Sequence, residues 1–246
     1  MSLKVPYIEA LFLFLDLMVF IRPLLICFFL LILIFCPNSL SGQQQSSDSS
    51  LYREDQFYLG ISMVFLTNSF PEFESSGLSR HFQWGIIRDI PLSANGTLAA
   101  GVGIGMGFDR YTSNLERFDE RGKIYYSFLK GDENKSFFVS QSALELPITL
   151  RWRNSSATDF AFWRLYGGVS VQWFYLTQGK FNGTNINIKN DFENYGATAH
   201  LSVGYNTWNF YIGYRITPFF SEAIQDNSLI SLDFVPLTLG LIFYIL

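Results

Sequence analysis

Residues 97–109, TLAAGVGIGMGFD, alternate between large apolar side chains and glycines or other small residues. Successive side chains of a β-strand point to opposite faces, so this pattern predicts a strand with one apolar face and one face of small residues. A soluble barrel points its large apolar side chains inward, whereas this arrangement favours a barrel whose apolar face contacts lipid. The apolar face comprises Leu98, Ala100, Val102, Ile104, Met106 and Phe108.

Seven further segments alternate in the same way, and the connections between them are in turn long and short. The predicted strands are 57–66, 80–92, 97–111, 139–153, 161–176, 195–205, 208–217 and 229–246. The short turns are 93–96, 154–159 and 206–207, and the long connections are 67–79, 112–138, 177–194 and 218–228. In membrane barrels the short turns face the periplasm and the long loops face the exterior. The sequence therefore predicts an all-β fold, an eight-stranded antiparallel up-and-down transmembrane β-barrel with both ends in the periplasm.

Two local features refine this prediction. The alternation slips between Phe234 and Val235, beside Pro236, which predicts a bulge in the last strand. Aromatic residues near the strand ends are candidates for the interfacial girdles of a membrane barrel, with ordinary strand packing as the alternative for each. These residues are Trp84, Tyr111, Trp152, Trp163, Tyr175, Tyr205 and Trp208.

The N-terminus carries the one long apolar run, residues 23–35, with Arg22 before it and Ser39-Leu40-Ser41 after it. This pattern predicts a signal peptide over 1–41, cleaved near Ser41 or Gly42, with Met18 as an alternative start. The remaining chain divides into a polar linker over 42–56 and the barrel over 57–246. A retained membrane anchor is the alternative, but the run is shorter than the ~20 residues of a membrane span. A lipoprotein signal at Cys36 is disfavoured because bulky Phe35 occupies a position that requires a small residue.

Composition narrows the class of protein. Aromatic residues make up 18% of the chain and charged residues 15%, values that favour a membrane-associated β protein. The net charge is −4 and no run of Lys or Arg indicates nucleic acid as a partner. Both cysteines, Cys27 and Cys36, lie in the predicted leader, so no disulfide is expected in the mature protein.

Several charged and polar residues fall on the inward side of the predicted strands. The set Glu145, Arg164, His200, Arg215 and Asp233 is predicted to form a polar network in the lumen, because charges away from water need partners. A polar plug that stiffens the wall is the favoured interpretation, and a proton or ion path is the alternative. Arg88 falls on the lipid side, so either it reaches the headgroups near the membrane edge or a bulge at Ile86 and Ile87 turns it inward. His81 is interpreted as a solvated residue at the end of a loop.

Motifs that carry chemistry are weak. His200 and Ser202 form an H-x-S pair like that of some eight-stranded lipid A-trimming enzymes, where the histidine is base to a nucleophilic serine. Here the pair points inward and no acidic residue is evident to orient the histidine. The GVGIG run at 101–105 lies inside a strand with no helix after it, so nucleotide binding is rejected. The sequence therefore predicts no catalytic residue, no metal site and no cofactor.

The second long loop contains an unusually apolar stretch between balanced charges. Its side chains are interpreted as a candidate surface for a protein partner, either as a strand edge or as an aromatic patch. A loop packed on itself is the alternative. The candidate residues are Ile124, Tyr125, Tyr126, Phe128, Phe137 and Phe138.

The chain resembles the PorT-type outer-membrane barrels of Bacteroidota, within a broader family of outer-membrane β-barrel domains. The likeness rests on FQWGIIRDIPL at 82–92, on the glycine-alternating strand that leads into YTSNL at 111–115, and on LELPI at 144–148. It covers nearly all of the mature chain. These motifs are strand and turn patterns, and the family offers no established catalytic residues to transfer. The last residue, Leu246, departs from the common terminal aromatic residue of such barrels, although FYIL at 243–246 still fits an insertion signal.

The resemblance implies a non-enzymatic part in type IX protein secretion and gliding motility, as an assembly or accessory factor. The expected location is the outer membrane of a Gram-negative cell. The expected partners are outer-membrane lipid, the barrel assembly machinery during insertion and other proteins of the secretion apparatus. Two alternatives belong to other classes: a lipid A-modifying enzyme and a surface adhesin that uses the long loops.

Overall fold

The computed structural model describes residues 55–67, 78–93, 96–120, 123–128, 137–154, 162–227 and 232–245. The predicted signal peptide over 1–41 and most of the predicted linker lie outside these residues. The elements are β1 (Asp55–Thr67), β2 (Arg80–Pro91), β3 (Leu98–Ser113), β4 (Leu115–Glu120), β5 (Lys123–Phe128), β6 (Phe137–Arg153), β7 (Trp163–Phe181), β8 (Thr184–Ile186), β9 (Tyr195–Tyr205), β10 (Trp208–Arg215), α1 (Glu222–Asn227) and β11 (Val235–Ile245).

Eight of the strands form a closed antiparallel barrel. Their order around the wall is β6, β3, β2, β1, β11, β10, β9 and β7, and the pairing of β6 with β7 closes the ring. The first and last strands, β1 and β11, pair without interruption from Thr67 and Val235 to Phe57 and Ile245. Every strand therefore lies beside its neighbour in sequence within the ring, apart from the short loop strands. The predicted eight-stranded up-and-down barrel is confirmed.

The alternation of exposed and buried side chains follows the predicted faces. In β10, Phe210 is 71% exposed, whereas the next residue, Tyr211, is 7% exposed. The same alternation runs through β6, where Leu146, Ile148 and Leu150 face outward. Large apolar side chains thus cover the outer wall while polar residues fill the centre, which is the arrangement of a lipid-embedded barrel.

Two groups of aromatic side chains mark the edges of the apolar outer wall. On the side of the short turns, Trp163 packs edge-on against Tyr205 with ring centroids 5.6 Å apart. On the side of the long loops, Trp173 of β7 pairs across the sheet with Tyr195. Trp163 and Trp173 are separated by about 33 Å along β7 at ~3.3 Å per residue, or about 25 Å along the barrel axis at a tilt of about 40°. That spacing equals the height of the apolar band of outer-membrane barrels, ~25 Å.

The bounds and pairing of several predicted strands differ in the structure. β1 begins at Asp55, so the predicted linker 42–56 ends before this residue. The parity slip near Phe234 is not a bulge, because β11 begins at Val235 and its pairing with β1 is regular. A register shift occurs instead between Ser142 and Ala143, where β6 pairs with β7.

The third long connection contains a hairpin that the sequence analysis did not predict. β7 runs to Phe181, and Asn182 and Gly183 then turn the chain into β8 with φ angles of 45° and 82°. Positive φ at both turn positions is typical of a type I′ turn, for which Asn-Gly is a preferred pair. The hairpin extends the barrel wall above the membrane.

The described parts of the long loops include residues 115–120, 123–128, 184–194, 217–227 and 232–234. These residues lie over the extracellular end of the barrel, and we call them the cap. An apolar cluster joins the cap to inward-facing residues at the upper ends of β1, β3 and β6, such as Leu66, Tyr111 and Val139. Phe220, on the cap, is 0% exposed and packs against Phe192 with ring centroids 4.8 Å apart. Among the described residues, no helix is long and apolar enough to cross a membrane.

Tyr111 belongs to this apolar cluster and not to an interfacial girdle. Its side chain is 4% exposed and packs edge-on against Phe219, with ring centroids 4.9 Å apart. The other six girdle candidates are exposed on the outer wall, as predicted: Trp84, Trp152, Trp163, Tyr175, Tyr205 and Trp208.

Candidate functional site: a plugged lumen beneath a closed cap

The periplasmic end of the lumen is filled by a buried ion cluster. Asp89 of β2 accepts hydrogen bonds from two arginines of β6, Arg151 and Arg153, and the Arg153 distance is 2.7 Å. Arg151 also donates to the side-chain oxygen of Gln56 on β1. The Asp89, Arg151 and Arg153 side chains are 0% exposed. Arg153 in addition donates through Nε to the carbonyl of Gly96 at 2.9 Å, which joins the cluster to the first short turn.

The glycines of β3 explain how this cluster can form. β3 lies between β2 and β6, so the Arg151 side chain must pass over β3 to reach Asp89. A Cβ atom at Gly101 would lie 2.7 Å from Cδ of Arg151, closer than van der Waals contact permits. A Cβ atom at Gly105 would lie 2.0 Å from the Tyr58 hydroxyl. The glycine-rich inward face of β3 therefore provides the space in which side chains from other strands lie, and these side chains fill the lumen.

Further polar pairs continue the filling toward the cap. His81 and Asp109 are joined by a hydrogen bond of 2.7 Å between Nδ1 and Oδ1. Glu145 accepts a hydrogen bond from Gln172 at 2.8 Å, and Gln172 accepts one from the Thr198 hydroxyl at 2.9 Å. His81 is 6% exposed, so its interpretation as a solvated loop residue is wrong. The alternation of β2 places it inward, on the same face as Asp89.

The predicted lumen network is only partly brought together. Glu145, Arg164 and Arg215 are buried inside the barrel, and His200 also faces the lumen. Asp233 precedes β11 and is exposed, and together with Arg215 it lines a cleft at the extracellular end of the barrel. The sequence analysis placed it inward on the assumption that the last strand began at residue 229.

The two predicted lumen arginines, Arg164 and Arg215, contact backbone carbonyls and aromatic rings. Arg215 donates to the carbonyl of Pro218 at 3.0 Å, and its guanidinium lies 4.8 Å from the ring centroid of Phe174. Arg164 lies 4.5 Å from the ring centroid of Phe162 and donates to the Tyr244 carbonyl at 3.5 Å. The buried ion cluster is instead built on Asp89, which the sequence analysis did not single out. The signal for it was present in the inward parity of β2.

Arg88 lies on the outer wall, near the periplasmic edge. β2 keeps an unbroken register with both neighbours through Ile86 and Ile87, so no bulge turns Arg88 inward. Its Nε atom lies 3.9 Å from a carboxylate oxygen of Asp55, the first residue of β1. Of the two predicted alternatives, the one at the membrane edge fits the structure.

The H-x-S pair is divided between different partners. His200 lies 3.4 Å from the Ser170 hydroxyl through Nδ1 and stacks beside Tyr211 at 5.9 Å between ring centroids. The Ser202 hydroxyl lies 3.4 Å from the hydroxyl of Tyr244 and is 1% exposed. Both side chains face the filled lumen. An outer-leaflet lipid that contacts the outer wall does not reach either group.

The filled lumen leaves little free volume. One cavity of about 20 Å³ is lined by His81, Asp109 and Arg215, among others, and another of about 10 Å³ is lined by Tyr58, His200 and Tyr244. A cavity of ~10–15 Å³ holds a single water molecule. Neither cavity has room for a solute larger than water. No group of three or more potential metal ligands occurs within the described ranges.

Asp191 links two loops of the cap. Its carboxylate accepts hydrogen bonds from Arg117 Nε at 2.7 Å and from the Tyr126 hydroxyl at 2.6 Å, and Asp191 is 1% exposed. Burial, together with the negative charge of Asp191, raises the pKa of the Tyr126 phenol well above its usual range. Burial lowers the pKa of Arg117, but its hydrogen bond and charge interaction with Asp191 outweigh that effect and raise it. The neutral phenol and the guanidinium therefore hold the β4–β5 hairpin against the third loop.

The predicted partner surface divides into two parts. Tyr126 and Phe137 are each 1% exposed in the apolar cluster, and Ile124 and Phe128 pack against it, so these four residues hold the cap together. Tyr125 lies on the outer face of the hairpin, opposite Phe118, which is 40% exposed. Phe138 lies on the barrel wall beneath the guanidinium of Arg110. The self-packed alternative thus describes four of the six candidate residues.

The comparison with known protein families agrees with this architecture. A family profile described as "Outer membrane protein beta-barrel domain" matches residues 42–232, more than three quarters of the chain. No curated protein matches the sequence.

Proposed function

The chain belongs to the outer membrane protein β-barrel domain family, and from this premise we propose that it is an assembly or accessory component of protein secretion. It is an outer-membrane barrel protein. The proposal further specifies a non-enzymatic role in type IX secretion and the associated gliding motility, with export by the N-terminal signal peptide. The resemblance of the 82–92 and 144–148 motifs to PorT-type barrels supports that assignment to a secretion system.

The filled lumen is the observation that carries the proposal. A barrel that transports a solute needs a continuous path, and eight strands enclose a space that side chains can fill completely. Here the Asp89 cluster fills the periplasmic end and the cap covers the extracellular end. A stiff barrel of this kind can still present a surface to other proteins. We therefore assign it a scaffolding role and not a conducting one.

The outer face of the β4–β5 hairpin is the surface that we assign to a protein partner. Phe118 and Tyr125 are cross-strand neighbours on this face, while Tyr126 on the opposite face anchors the hairpin to Asp191. Phe118 is exposed and Tyr125 is half-buried. Binding to this aromatic pair costs little conformational entropy, because the hairpin backbone is already ordered. Aromatic residues are enriched in protein interfaces.

The lipid A-modifying alternative finds little support in the geometry. A serine nucleophile needs its base within hydrogen-bond reach and a path for the substrate. His200 is close to Ser170, and Ser202 is close to Tyr244. Substituting Ser202→Ala and analysing lipid A by mass spectrometry tests this directly, and altered lipid A would count against a non-enzymatic role.

The secretion role is tested by a clean deletion of the gene and an assay of exported proteins in the culture medium. We expect loss of export, restored by the wild-type chain. The double variant Phe118→Ala/Tyr125→Ala should restore export poorly although the barrel still folds. Tyr214→Ala, which removes an exposed aromatic side chain from the lipid-facing wall of β10, is the matched control and should restore it fully. Normal export in the deletion strain would refute the proposal.

A surface adhesin would give a different result. Deletion of residues 116–135 would then abolish attachment to a surface while export remained normal. The same strains therefore separate the two roles.

A further inference from the structure

Two arginines lie side by side on the outer wall, where the apolar surface ends on the extracellular side. Arg80 of β2 and Arg110 of β3 are direct cross-strand partners, and both point outward. The row beneath them consists of Phe82 and Phe108, which are also cross-strand partners and are exposed. The arginines therefore sit at the first polar row above the lipid-facing band.

Their height follows from the length of the apolar face of β3. Leu98 and Phe108, its first and last apolar positions, are separated by about 33 Å along the strand at ~3.3 Å per residue. At a tilt of about 40°, this corresponds to about 25 Å along the barrel axis, the thickness of the apolar band of such barrels. Arg110 is the next outward residue and thus lies at the level of the outer-leaflet headgroups.

The arginine pair lines a cleft of about 440 Å³ in the wall. Ser140 and Ser142 of β6 supply hydroxyl groups to the same cleft, and Ile61 and Phe82 supply apolar surface. Arg110 is held in place by Phe138, since its guanidinium carbon lies 4.7 Å from that ring centroid. The cleft thus combines donors for an anion at its top with an apolar lower part.

Asp109, the acidic residue next to Arg110 in the sequence, does not form an ion pair with Arg80 or Arg110. Like charges directly opposite each other on a sheet destabilise it. Asp109 is the one carboxylate among the residues lining the cleft, and it hydrogen-bonds His81 on the lumen side at 2.7 Å. No described acidic residue forms an ion pair with Arg80 or Arg110. An anion placed between the two guanidinium groups would relieve their repulsion.

We propose that this cleft binds a phosphate group of an outer-leaflet lipid, whose acyl chains lie on Ile61, Phe82 and Phe108. Arginine binds phosphate with two parallel N–H···O bonds, so two guanidinium groups can satisfy one phosphate. The serine hydroxyls donate to the remaining oxygens. The barrel wall thereby holds one specific lipid at a fixed place beside β2, β3 and β6.

Native mass spectrometry of the detergent-purified full chain tests the proposal, with diphosphorylated lipid A, dephosphorylated lipid A and inorganic phosphate as separate probes. We expect binding of the phosphorylated lipid to fall at least tenfold in Arg80→Gln/Arg110→Gln. Arg88→Gln, an outward-facing arginine at the opposite end of β2, is the matched control and should bind as the wild type does. Arg80→Lys/Arg110→Lys keeps the charge but loses the paired bonds, so it should bind with intermediate affinity.

Three results would overturn the proposal. The first is unchanged binding in a folded Arg80→Gln/Arg110→Gln variant, and if that variant does not fold, unchanged binding in the lysine variant has the same meaning. The second is equal binding of the dephosphorylated lipid. The third is displacement of the lipid by inorganic phosphate at an equal concentration, which would make the cleft a site for free phosphate.

Discussion

Replacing Asp89 by Asn should destabilise the barrel more than any exposed charge substitution. The Asp89 carboxylate is fully buried between Arg151 and Arg153, so the amide would remove the negative charge that both buried guanidinium groups contact. Breaking a buried pair by removing one partner costs about 3–5 kcal/mol. The exposed pair of Arg88 and Asp55, with atoms 3.9 Å apart and Asp55 58% exposed, contributes at most about 1 kcal/mol. Asp55→Asn is therefore the matched control.

The assay is equilibrium unfolding by urea in lipid vesicles, followed by tryptophan fluorescence and by the heat-dependent mobility of the folded barrel in gels. Asp89→Asn should lower the free energy of unfolding by at least about 3 kcal/mol, and Asp55→Asn by less than about 1 kcal/mol. Adding Arg151→Gln should reduce the loss in free energy of unfolding caused by Asp89→Asn, because it removes one of the buried positive charges that Asp89 contacts. An effect of Asp89→Asn no larger than that of Asp55→Asn, or full additivity with Arg151→Gln, would refute the proposed energetics of the cluster.

Three further predictions follow from other parts of the molecule. Gly105→Ala should lower the free energy of unfolding by about 1–3 kcal/mol, because its Cβ would lie 2.0 Å from the Tyr58 hydroxyl. Ala100→Val, on the outer face of β3, is the control and should leave the free energy of unfolding nearly unchanged in the same urea assay. The closed cap keeps the Tyr126 proton when the open cap loses it near pH 10, so the cap should open more readily above that pH. The measurement is hydrogen-exchange protection over residues 184–194, corrected for the base-catalysed exchange rate of the unfolded chain. Tyr126→Phe should lower protection at neutral pH and remove the loss of protection above about pH 10. Deletion of the β4–β5 hairpin should produce no ion conductance in planar bilayers, because the Asp89 cluster still fills the lumen. A stable open pore in this variant would contradict the prediction and show that the cap alone closes the barrel.

The barrel could be predicted from the sequence because lipid and lumen impose a strict alternation on every strand. Side chains that contact hydrocarbon must be apolar, and a one-residue slip would exchange the two faces. The loops lack that constraint. Tyr126 and Asp191 are 65 positions apart, and only the folded cap brings them together. The Asn182-Gly183 turn is an exception, since Asn-Gly at positive φ angles is a local hairpin signal that the sequence itself carries.

The partners of the lumen charges could not be derived from the strand faces. The alternation along a strand indicates that a residue points inward. Its partner depends on the shear of the barrel and on which neighbouring strand leaves space for the side chain to cross. Arg151 reaches Asp89 across β3 because Gly101 offers no side chain there. Glu145 lies against Gly107 in the same way, where a Cβ atom would be 2.4 Å from its carboxylate oxygen, and it hydrogen-bonds Gln172 instead of an arginine. The glycines thus predict where lumen side chains can cross, although they do not identify those side chains.

Different interactions close the two ends of the barrel, so we expect the extracellular end to open more easily than the periplasmic end. The periplasmic end is closed by buried charges. Separating these charges inside the barrel would cost free energy, because a buried charge without its partner is strongly destabilising. The extracellular end depends on an apolar cluster and on one carboxylate, Asp191, that holds Arg117 and Tyr126. Loop segments of this kind open locally at a lower free energy than the strands that support them. If the proposed partner binds the hairpin, we expect it to move the cap without disturbing the barrel wall or opening a path through the membrane.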